Sequence, residues 1–509
     1  MPRSTSLWLQ TTHPEKAPPL TSATRADVCV IGGGIAGLTT AYLLRREGYD
    51  VVLLDHSAPG TGETGVTTAH LSNVMDDRYT EMIRLHGDEG ARIACESHRA
   101  AIARIESIAS VERIACDFRR VSGYLVPAPE HDDDWLREEY DAARRAGADA
   151  EWLDRGPIDT LAGRPCLHFP RQGQFHPLKY LDGMRGAYAR AGGRLFSARA
   201  TFVEGGGSAT VRTADDVEVT ARAVVVATNV PFNDLVAVHT KQAPYHTYVI
   251  GARTPPGGIP RALYWDTHDP YHYVRLQRST NAELGGDNSE PVDILIVGGE
   301  DHKAAQASDA EARYSSLESW MRDRFPEAAE VEFRWSGQVM ETQDGVAFIG
   351  RNPLDQPNVF IATGDSGMGM THGTIAGILL TDLIAGRENR WAGLYDPSRK
   401  RAGAIGDFLK ENLNVAAQFR AYVTPGDVSS ADEIAPNTGA VVRDGVHKIA
   451  VFRDEAGELH RRSAVCTHLG CIVGWNAAAS TWDCPCHGSR FDPFGRVING
   501  PASRDLGDA

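Results

Sequence analysis

The sequence lacks any long apolar run. No stretch of its 509 residues approaches the roughly eighteen consecutive apolar residues of a membrane-spanning helix, and the first residues carry no charged-then-apolar signal pattern. Positive charge is also scarce, with 52 Lys and Arg against 67 Asp and Glu and a net charge of −15. We therefore expect no transmembrane segment and no nucleic-acid partner.

Cysteine is sparse and unevenly placed. Four of the eight cysteines are scattered, at Cys29, Cys95, Cys116 and Cys166, without the spacing of a disulfide framework. This usage predicts a cytoplasmic protein. The length suits two or three domains, and the other four cysteines all lie between residues 466 and 486.

Those last cysteines are interleaved with histidines. Cys466-x-His468 is followed, fifteen residues later, by Cys484-x-x-His487. Two thiolates suit one iron and two neutral imidazoles the other, so this set predicts an asymmetric [2Fe-2S] cluster. A zinc site is the alternative, but zinc sites favour pairs of one residue type, whereas each pair here mixes Cys with His.

The segment resembles Rieske proteins of the cytochrome bc type. The resemblance implies a disulfide between Cys471 and Cys486 that clamps the two cluster loops, although such a bond is in tension with a reducing compartment. It also implies that residues Gly500 to Ala502 form a proline loop over the cluster. The histidines are expected to point outward and form the electron exit.

The same resemblance bears on the reduction potential. Rieske potentials span about −150 to +300 mV, and hydrogen bonds to sulfur raise them. Ser489 is placed to donate such a bond, but the high-potential members carry a Tyr where this chain has Phe491. We expect a potential below the top of the range.

Near the other end, residues 27–55 read as strand, glycine turn, apolar helix and strand. Gly32-x-Gly34-x-x-Gly37 supplies the tight turn, the close approach of backbone to a pyrophosphate, and the helix packing. Asp55 ends the second strand, where a carboxylate can accept hydrogen bonds from a ribose. Together these features predict a dinucleotide-binding fold.

Two later glycine-rich stretches favour FAD over a nicotinamide. Both place small residues where backbone and hydroxyl groups can lie along a diphosphate or a ring edge. The first stretch contains Gly65, Thr67 and Thr68, and the second contains Gly364, Gly367 and Gly369.

Residues 26–395 resemble the D-amino acid oxidase and glycine oxidase (DadA-like) family of flavoproteins. The resemblance is carried by the dinucleotide turn, the AVVVATN strand at 223–229, and the NVFIATGDSGMGMTHG stretch from residue 358. It implies an α/β fold: a Rossmann-type FAD-binding domain with an inserted antiparallel-sheet substrate domain. An N-terminal extension (1–25) would precede it, and a helical linker (396–430) and an all-β Rieske domain (431–509) would follow.

Aromatic residues in two strand-like stretches, 237–251 and 263–276, are candidates for the substrate pocket. They could hold an amine through cation–π contacts or simply pack the sheet. The candidates are Tyr245, Tyr248, Tyr264, Trp265, Tyr271 and Tyr273.

Two departures from the family bear on chemistry. Amino-acid-oxidising members place an Arg after Trp-x-Gly to hold the substrate carboxylate, but here the stretch is Gln338-Val339-Met340-Glu341. This favours an amine, with Glu341 either facing a distal ammonium or lying in solvent. Some relatives attach FAD through a histidine, but His70 stands one place beyond that position, so both modes of FAD binding stay open.

We therefore expect FAD and a Rieske cluster to act together. The flavin would oxidise a C–N bond of an amine or amino-acid-like substrate, and single electrons would pass to the cluster and then to an external acceptor or oxygen. One rival is a reductase that takes hydride from NAD(P)H and supplies an oxygenase, for which residues 293–300 (DILIVGGE) are the only further nucleotide-turn candidate. A Rieske oxygenase ranks last, since no length remains for its separate iron domain.

Overall fold

The computed structural model describes residues 5–158, 164–233, 238–306, 309–353, 355–399, 419–422 and 424–509. No helix within these ranges is both long and apolar enough to cross a bilayer. Most of the expected helical linker, residues 400–418 and 423, lies outside the described residues.

The helices of the described chain all precede the cysteine-rich segment. They are α1 (Leu7–Thr11), α2 (Ile35–Arg46), α3 (Arg78–Val111), α4 (Asp133–Arg145), α5 (Pro177–Arg190), α6 (Ala310–Arg324), α7 (Gly369–Ile384) and α8 (Ala392–Tyr395).

The strands up to residue 363 form two sheets. They are β1 (Thr24–Ile31), β2 (Val51–Asp55), β3 (His70–Leu71), β4 (Arg119–Val126), β5 (Glu151–Leu153), β6 (Cys166–Gln174), β7 (Arg194–Ser197), β8 (Ala200–Glu204), β9 (Ala209–Thr213), β10 (Glu218–Val226), β11 (Gln242–Thr254), β12 (Ala262–Asp266), β13 (His272–Thr280), β14 (Pro291–Lys303), β15 (Val331–Thr342), β16 (Phe348–Arg351) and β17 (Val359–Thr363).

The first sheet has the strand order β16-β17-β10-β1-β2-β7, with β9 and β8 added beside β10. Strands β1, β2, β7, β10 and β17 are parallel. Residues 28–31 of β1 and 51–54 of β2 are fully buried, as expected for parallel strands covered on both faces. The dinucleotide turn and the second glycine turn, which follow β1 and β17, therefore meet at one edge of the sheet.

The second sheet has the order β15-β11-β14-β13-β12-β4-β6-β3, with β5 beside β6. Strands β11, β14, β13 and β15 pair antiparallel, as expected for the substrate domain. Residues 293–300 lie inside β14, an internal strand of this sheet. They therefore do not form the strand-to-helix turn that a second nucleotide site needs.

The C-terminal segment folds into two small sheets, of order β18-β19-β20 and β21-β22-β23-β24. The strands are β18 (Thr438–Asp444), β19 (His447–Arg453), β20 (Leu459–Ser463), β21 (Gly474–Asn476), β22 (Thr481–Asp483), β23 (Arg490–Phe491) and β24 (Val497–Asn499). All four Cys and His candidates lie in the loops between β20 and β21 and between β22 and β23.

Candidate active site and metal centre

The turn between β1 and α2 is shaped for close backbone approach. Gly32 has a φ of +104°, and a Cβ there would lie 2.4 Å from the carbonyl oxygen of Ala227. A Cβ on Gly37 would lie 1.8 Å from the carbonyl oxygen of Gly32. Gly34 caps α2 without a side-chain hydrogen bond, as in helix N-termini that receive a phosphate. The cradle fits a dinucleotide pyrophosphate.

Asp55 closes this turn from the end of β2. Its Oδ2 accepts a hydrogen bond from the Gly33 N–H (2.6 Å), and its Oδ1 accepts one from the Ser57 N–H (2.8 Å). Asp55 also lines the cavity described below. It therefore organises the turn itself, and its contact with a ribose stays a prediction.

The loop before β3 lies along the same cavity. A Cβ on Gly65 would lie 2.6 Å from the carbonyl oxygen of Gly60, and the Thr67 hydroxyl accepts from the Ala69 N–H (3.0 Å). The His70 ring lies 3.1 Å from the Thr68 hydroxyl. Burial, with a smaller effect of the Arg275 charge, lowers the pKa of His70 to about 3, so its imidazole is neutral.

The second glycine turn faces the first across the cavity. Gly364 and Gly367 adopt φ of +73° and +72°, and Gly369 begins α7. Helix α7 packs closely on α2, because a Cβ on Gly373 would lie 2.6 Å from the Ile35 side chain. Both predicted glycine turns thus belong to one site.

The cavity between these turns has a volume of about 550 Å³. Besides Asp55 and Glu63, its wall carries three carboxylates from distant parts of the chain: Asp76, Asp301 and Asp365. The Tyr271 hydroxyl donates to Asp76 (3.0 Å). Sequence spacing gives no signal for this cluster, since the sheet topology alone brings the three together.

Burial raises the pKa of each of these three carboxyls. Burial raises the pKa of Asp301 to about 7 and that of Asp365 to about 6. Burial and the charges of neighbouring carboxyls, Asp76 among them, raise the pKa of Glu341 well above its usual range. Glu341 is half-buried beside this group, so it is not a solvated surface carboxylate.

The structure separates the aromatic candidates by sheet face. Trp265, Tyr271 and Tyr273 line the cavity. Tyr248 is 4% exposed and stacks on His302, on the opposite face.

Two further candidates also fall outside the cavity wall. Tyr264 is 2% exposed and stacks on Tyr124. Tyr245 lies under Lys303, with Nζ 5.9 Å from the ring centre, and is not part of the cavity wall. The prediction that Tyr245, Tyr248 and Tyr264 line the pocket is therefore wrong. Alternation along each strand places one residue of every adjacent pair in the core.

The cavity wall contains two arginines among the described residues, and both are ion-paired. Arg490 binds Glu63 (2.7 Å) and Arg199 binds Asp505 (2.6 Å). The absence of a carboxylate-binding Arg in residues 338–341 is thus not compensated by an unpaired guanidinium in this wall.

The metal-ligand candidates converge in the C-terminal domain. Cys466 and Cys484 are both buried, and each thiol perturbs the pKa of the other, lowering that of Cys466 and raising that of Cys484. The rings of His468 and His487 lie 5.1 Å apart. Cys471 and Cys486 form a disulfide, as the Rieske resemblance implied.

Two features fit a bound cluster. His487 Nδ1 is buried without a hydrogen-bond partner, as expected of an atom that binds a metal. Burial and the nearby His468 and His239 rings lower the pKa of His487 to about 3, which keeps the imidazole neutral, as ligation requires. The Ser489 hydroxyl accepts a hydrogen bond from the Ala502 N–H (3.0 Å), and its donation to a cluster sulfur stays a prediction.

The histidine pair faces the flavoprotein part of the chain. The His239 ring lies 5.2 Å from that of His468 and 5.9 Å from that of His487, and His487 is only 6% exposed. The expectation that the ligands point outward is therefore wrong for His487, and their role as the electron exit stays a prediction. A buried contact between His246 Nε2 and Asp483 Oδ2 (2.7 Å) also joins the two parts.

Comparison with known proteins matches both parts of the chain. A model of FAD dependent oxidoreductases (DAO) matches residues 27–383, and a model of the Rieske [2Fe-2S] domain matches residues 424–508. The chain is 30% identical over 504 residues to a Bacillus subtilis (strain 168) protein provisionally named Rieske 2Fe-2S iron-sulfur protein YhfW, covering 98% of this chain and 96% of that one.

Two further likenesses concern the flavoprotein part. Gamma-glutamylputrescine oxidoreductase of Escherichia coli (strain K12) is 28% identical over 387 residues, covering 73% of this chain and 86% of that protein. The crystal structure of glycine oxidase from Geobacillus kaustophilus superposes with a TM-score of 0.60 at 18% identity, covering 74% of this chain and all of that one. That structure supports the fold alone.

Proposed function

The chain belongs to the family of FAD dependent oxidoreductases and carries a Rieske [2Fe-2S] domain, and on this premise we propose that it oxidises a C–N bond of an amine. Its cofactors are FAD and the [2Fe-2S] cluster. We also propose that the electrons pass from FAD to the cluster and then to an external acceptor. One observation supports the proposal most directly. The cavity between the two glycine turns is lined by carboxylates, and residues of the Rieske domain form part of its wall.

When bound, FAD accepts the two electrons of the substrate and the cluster carries one electron at a time. The residues proposed to hold FAD are the two glycine turns, Asp55 and the loop at residues 65–70. The proposed cluster ligands are Cys466, His468, Cys484 and His487, with the division at 26–395 and 431–509 separating the two tasks.

The wall favours a cation over a carboxylate-bearing substrate. Asp76, Asp301 and Asp365 would face an ammonium group, which would relieve the repulsion among them. No unpaired Arg stands in the described wall to hold a substrate carboxylate. The family relative that acts on gamma-glutamylputrescine, by its name, is consistent with an amine substrate.

Asp301 is the group proposed to accept the proton of the bound ammonium. Flavin oxidation needs a neutral amine, and a carboxylate with a pKa near 7 is a suitable acceptor at physiological pH. Its Oδ1 has no hydrogen-bond partner within the described chain. The nearby Thr247 hydroxyl lowers the pKa of this carboxyl, against the larger effect of burial.

An anaerobic reductant screen tests the proposal. Amines, amino acids and NADH are added separately to the holoprotein, while the flavin absorbance and the EPR signal of the reduced cluster are followed together. We expect an amine to bleach the flavin and produce the cluster signal. Bleaching by NADH and by no amine would establish the reductase instead, although the location of residues 293–300 inside β14 speaks against it.

A further inference from the structure

Gln338 lies in β15, where the flavoprotein domain meets the Rieske domain. We propose that Gln338 is a positioning residue of the iron-sulfur centre, which fastens the Cys484–His487 loop and the 500–502 loop to the strand beside the flavin cavity. Only its consequence for flavin-to-cluster transfer rests on the proposed function.

Both polar atoms of the Gln338 side-chain amide form hydrogen bonds with the Rieske domain. Nε2 donates to the carbonyl oxygen of Gly488 (3.1 Å), the residue after His487. Oε1 accepts from Asn499 Nδ2 (3.0 Å), just before the loop at 500–502. The residue is 2% exposed, so loss of either bond leaves a buried polar group without a partner, which costs free energy.

The backbone of Gln338 is fixed as well. Its N–H donates to Glu63 Oε2 (2.7 Å), and Glu63 Oε1 accepts from Arg490 Nη1 of the Rieske domain (2.7 Å). Since β15 is an edge strand, this N–H is not used by a neighbouring strand. Glu63 thus ties the loop along the cofactor cavity to the same point of the interface.

The contact is also sterically tight. Gly488 has a φ of +81°, and a Cβ there would lie 2.9 Å from Pro244 Cβ and 3.0 Å from Gln338 Nε2. Pro244 belongs to β11, the neighbour of β15. The cluster loop therefore rests directly on the sheet, with no room for an added methyl group.

A short series of contacts leads from Gln338 to Ser489, the serine of the second cluster loop. The Asn499 bond fixes the start of the 500–502 loop, and the Ala502 N–H in that loop donates to Ser489 Oγ (3.0 Å). Because Ser489 Oγ accepts from that N–H, its orientation beside the cluster ligands depends on the position of the 500–502 loop. Hydrogen bonds to the sulfurs raise the potential of such clusters, so Gln338 acts on the cluster through the loop.

The test compares Gln338→Leu and Asn499→Leu, which break the contact from opposite sides, with Gln172→Leu. Gln172 is 3% exposed and makes its hydrogen bonds to Ser72, Asn73 and Pro170, inside the flavoprotein domain. It therefore reports the general cost of losing a buried glutamine.

The first measurement is an EPR-monitored redox titration with chemical reductants, so it needs no substrate. We expect both interface variants to shift the cluster potential in the negative direction and to alter the g values. Gln172→Leu should leave both unchanged. Unchanged potential and g values in Asn499→Leu would overturn the proposal, even if Gln338→Leu proves too unstable to purify.

The second measurement is the rate at which the cluster is reduced after an amine has reduced the flavin. We expect this rate to fall by roughly tenfold per lost bond of ordinary strength, while flavin bleaching keeps its rate. If no amine bleaches the flavin, the proposed function fails, yet the potentials still decide the role of Gln338. A lowered flavin rate with normal cluster reduction would contradict the positioning role.

Discussion

The two faces of the nine-stranded sheet carry different tasks although they share the same strands. On β11, Thr247 faces the cavity and its hydroxyl hydrogen-bonds to that of Tyr273, whereas its neighbours His246 and Tyr248 face the other side. His246 meets the Rieske domain there, and its partner on β15, Gln338, meets the same domain at the edge of the cavity. Since side chains alternate along a strand, residues adjacent in sequence belong to different sites, and substitutions should separate accordingly.

Loss of a thiolate ligand should give the largest effect, and this effect should be confined to the Rieske domain. We expect Cys484→Ser to remove the cluster, because one of its two proposed thiolate ligands is then missing. EPR of the reduced protein would then show no Rieske signal, while an amine still bleaches the flavin. A cluster retained in full by Cys484→Ser would refute the ligand assignment.

Breaking the buried ion pair at the interface should come next. Arg490 is 8% exposed and bonds to Glu63, with Asp483 3.5 Å away. Arg490→Met leaves these carboxylates uncompensated, and we expect a loss of about 3–5 kcal/mol in the free energy of unfolding.

The matched control for that loss is an exposed pair. Arg212 and Glu218 lie 3.2 Å apart with side chains nearly half exposed, so Arg212→Met should cost under about 1 kcal/mol. Chemical denaturation measures both. Equal losses in the two variants would show that the interface pair does not hold the domains together.

On the cavity side, Asp301→Asn should weaken amine binding while stabilising the substrate-free protein. Removing one charged hydrogen bond should raise KM about tenfold or more. Burial raises the pKa of Asp301 from 3.8 to about 7, so the folded protein keeps a proton that the unfolded chain releases. The stability of the native protein therefore falls as pH rises from about 4 to 7, and Asn removes that loss.

The pH dependence of KM and the pH dependence of Tm check this prediction. The KM of the native protein should fall as pH rises through about 7, because the ionised carboxylate binds the ammonium, and the variant should lose this dependence. The Tm of the variant should match that of the native protein near pH 4 and exceed it at pH 7. A variant less stable at pH 7 would contradict the assigned environment of Asp301.

Much of the architecture was predictable because it depends on local patterns. The Gly32 turn, the Gly364 turn and the Cys466 to His487 ligand set are each encoded within a few residues, and the predicted α/β fold with a C-terminal Rieske domain is confirmed. The cofactors, FAD and [2Fe-2S], followed from the same motifs.

The parts that were missed depend on non-local arrangement. Asp76, Asp301 and Asp365 come from three distant elements, and nothing in their spacing indicates that they share a wall. The strand-like pattern predicted strands in these stretches, but it did not show which side chains face the cavity, so it could not separate Tyr248 and Tyr264, which pack the sheet, from the residues that line the cavity. The direction of His487 was missed because docking depends on surfaces such as Gln338 and Asn499.

The smallest expected effects give the sharpest test of the two faces, since they come from adjacent residues. Thr247→Val removes a hydroxyl that lowers the pKa of Asp301, so the pH at which KM falls should move upward with little change in stability. Tyr248→Phe removes the bond to His302 Nε2 (2.9 Å) on the other face, which should cost about 1 kcal/mol of stability and leave the pH profile unchanged. If Tyr248→Phe shifted the profile as Thr247→Val does, the sheet would not insulate one face from the other, and the alternation of strand β11 could not explain the division of tasks.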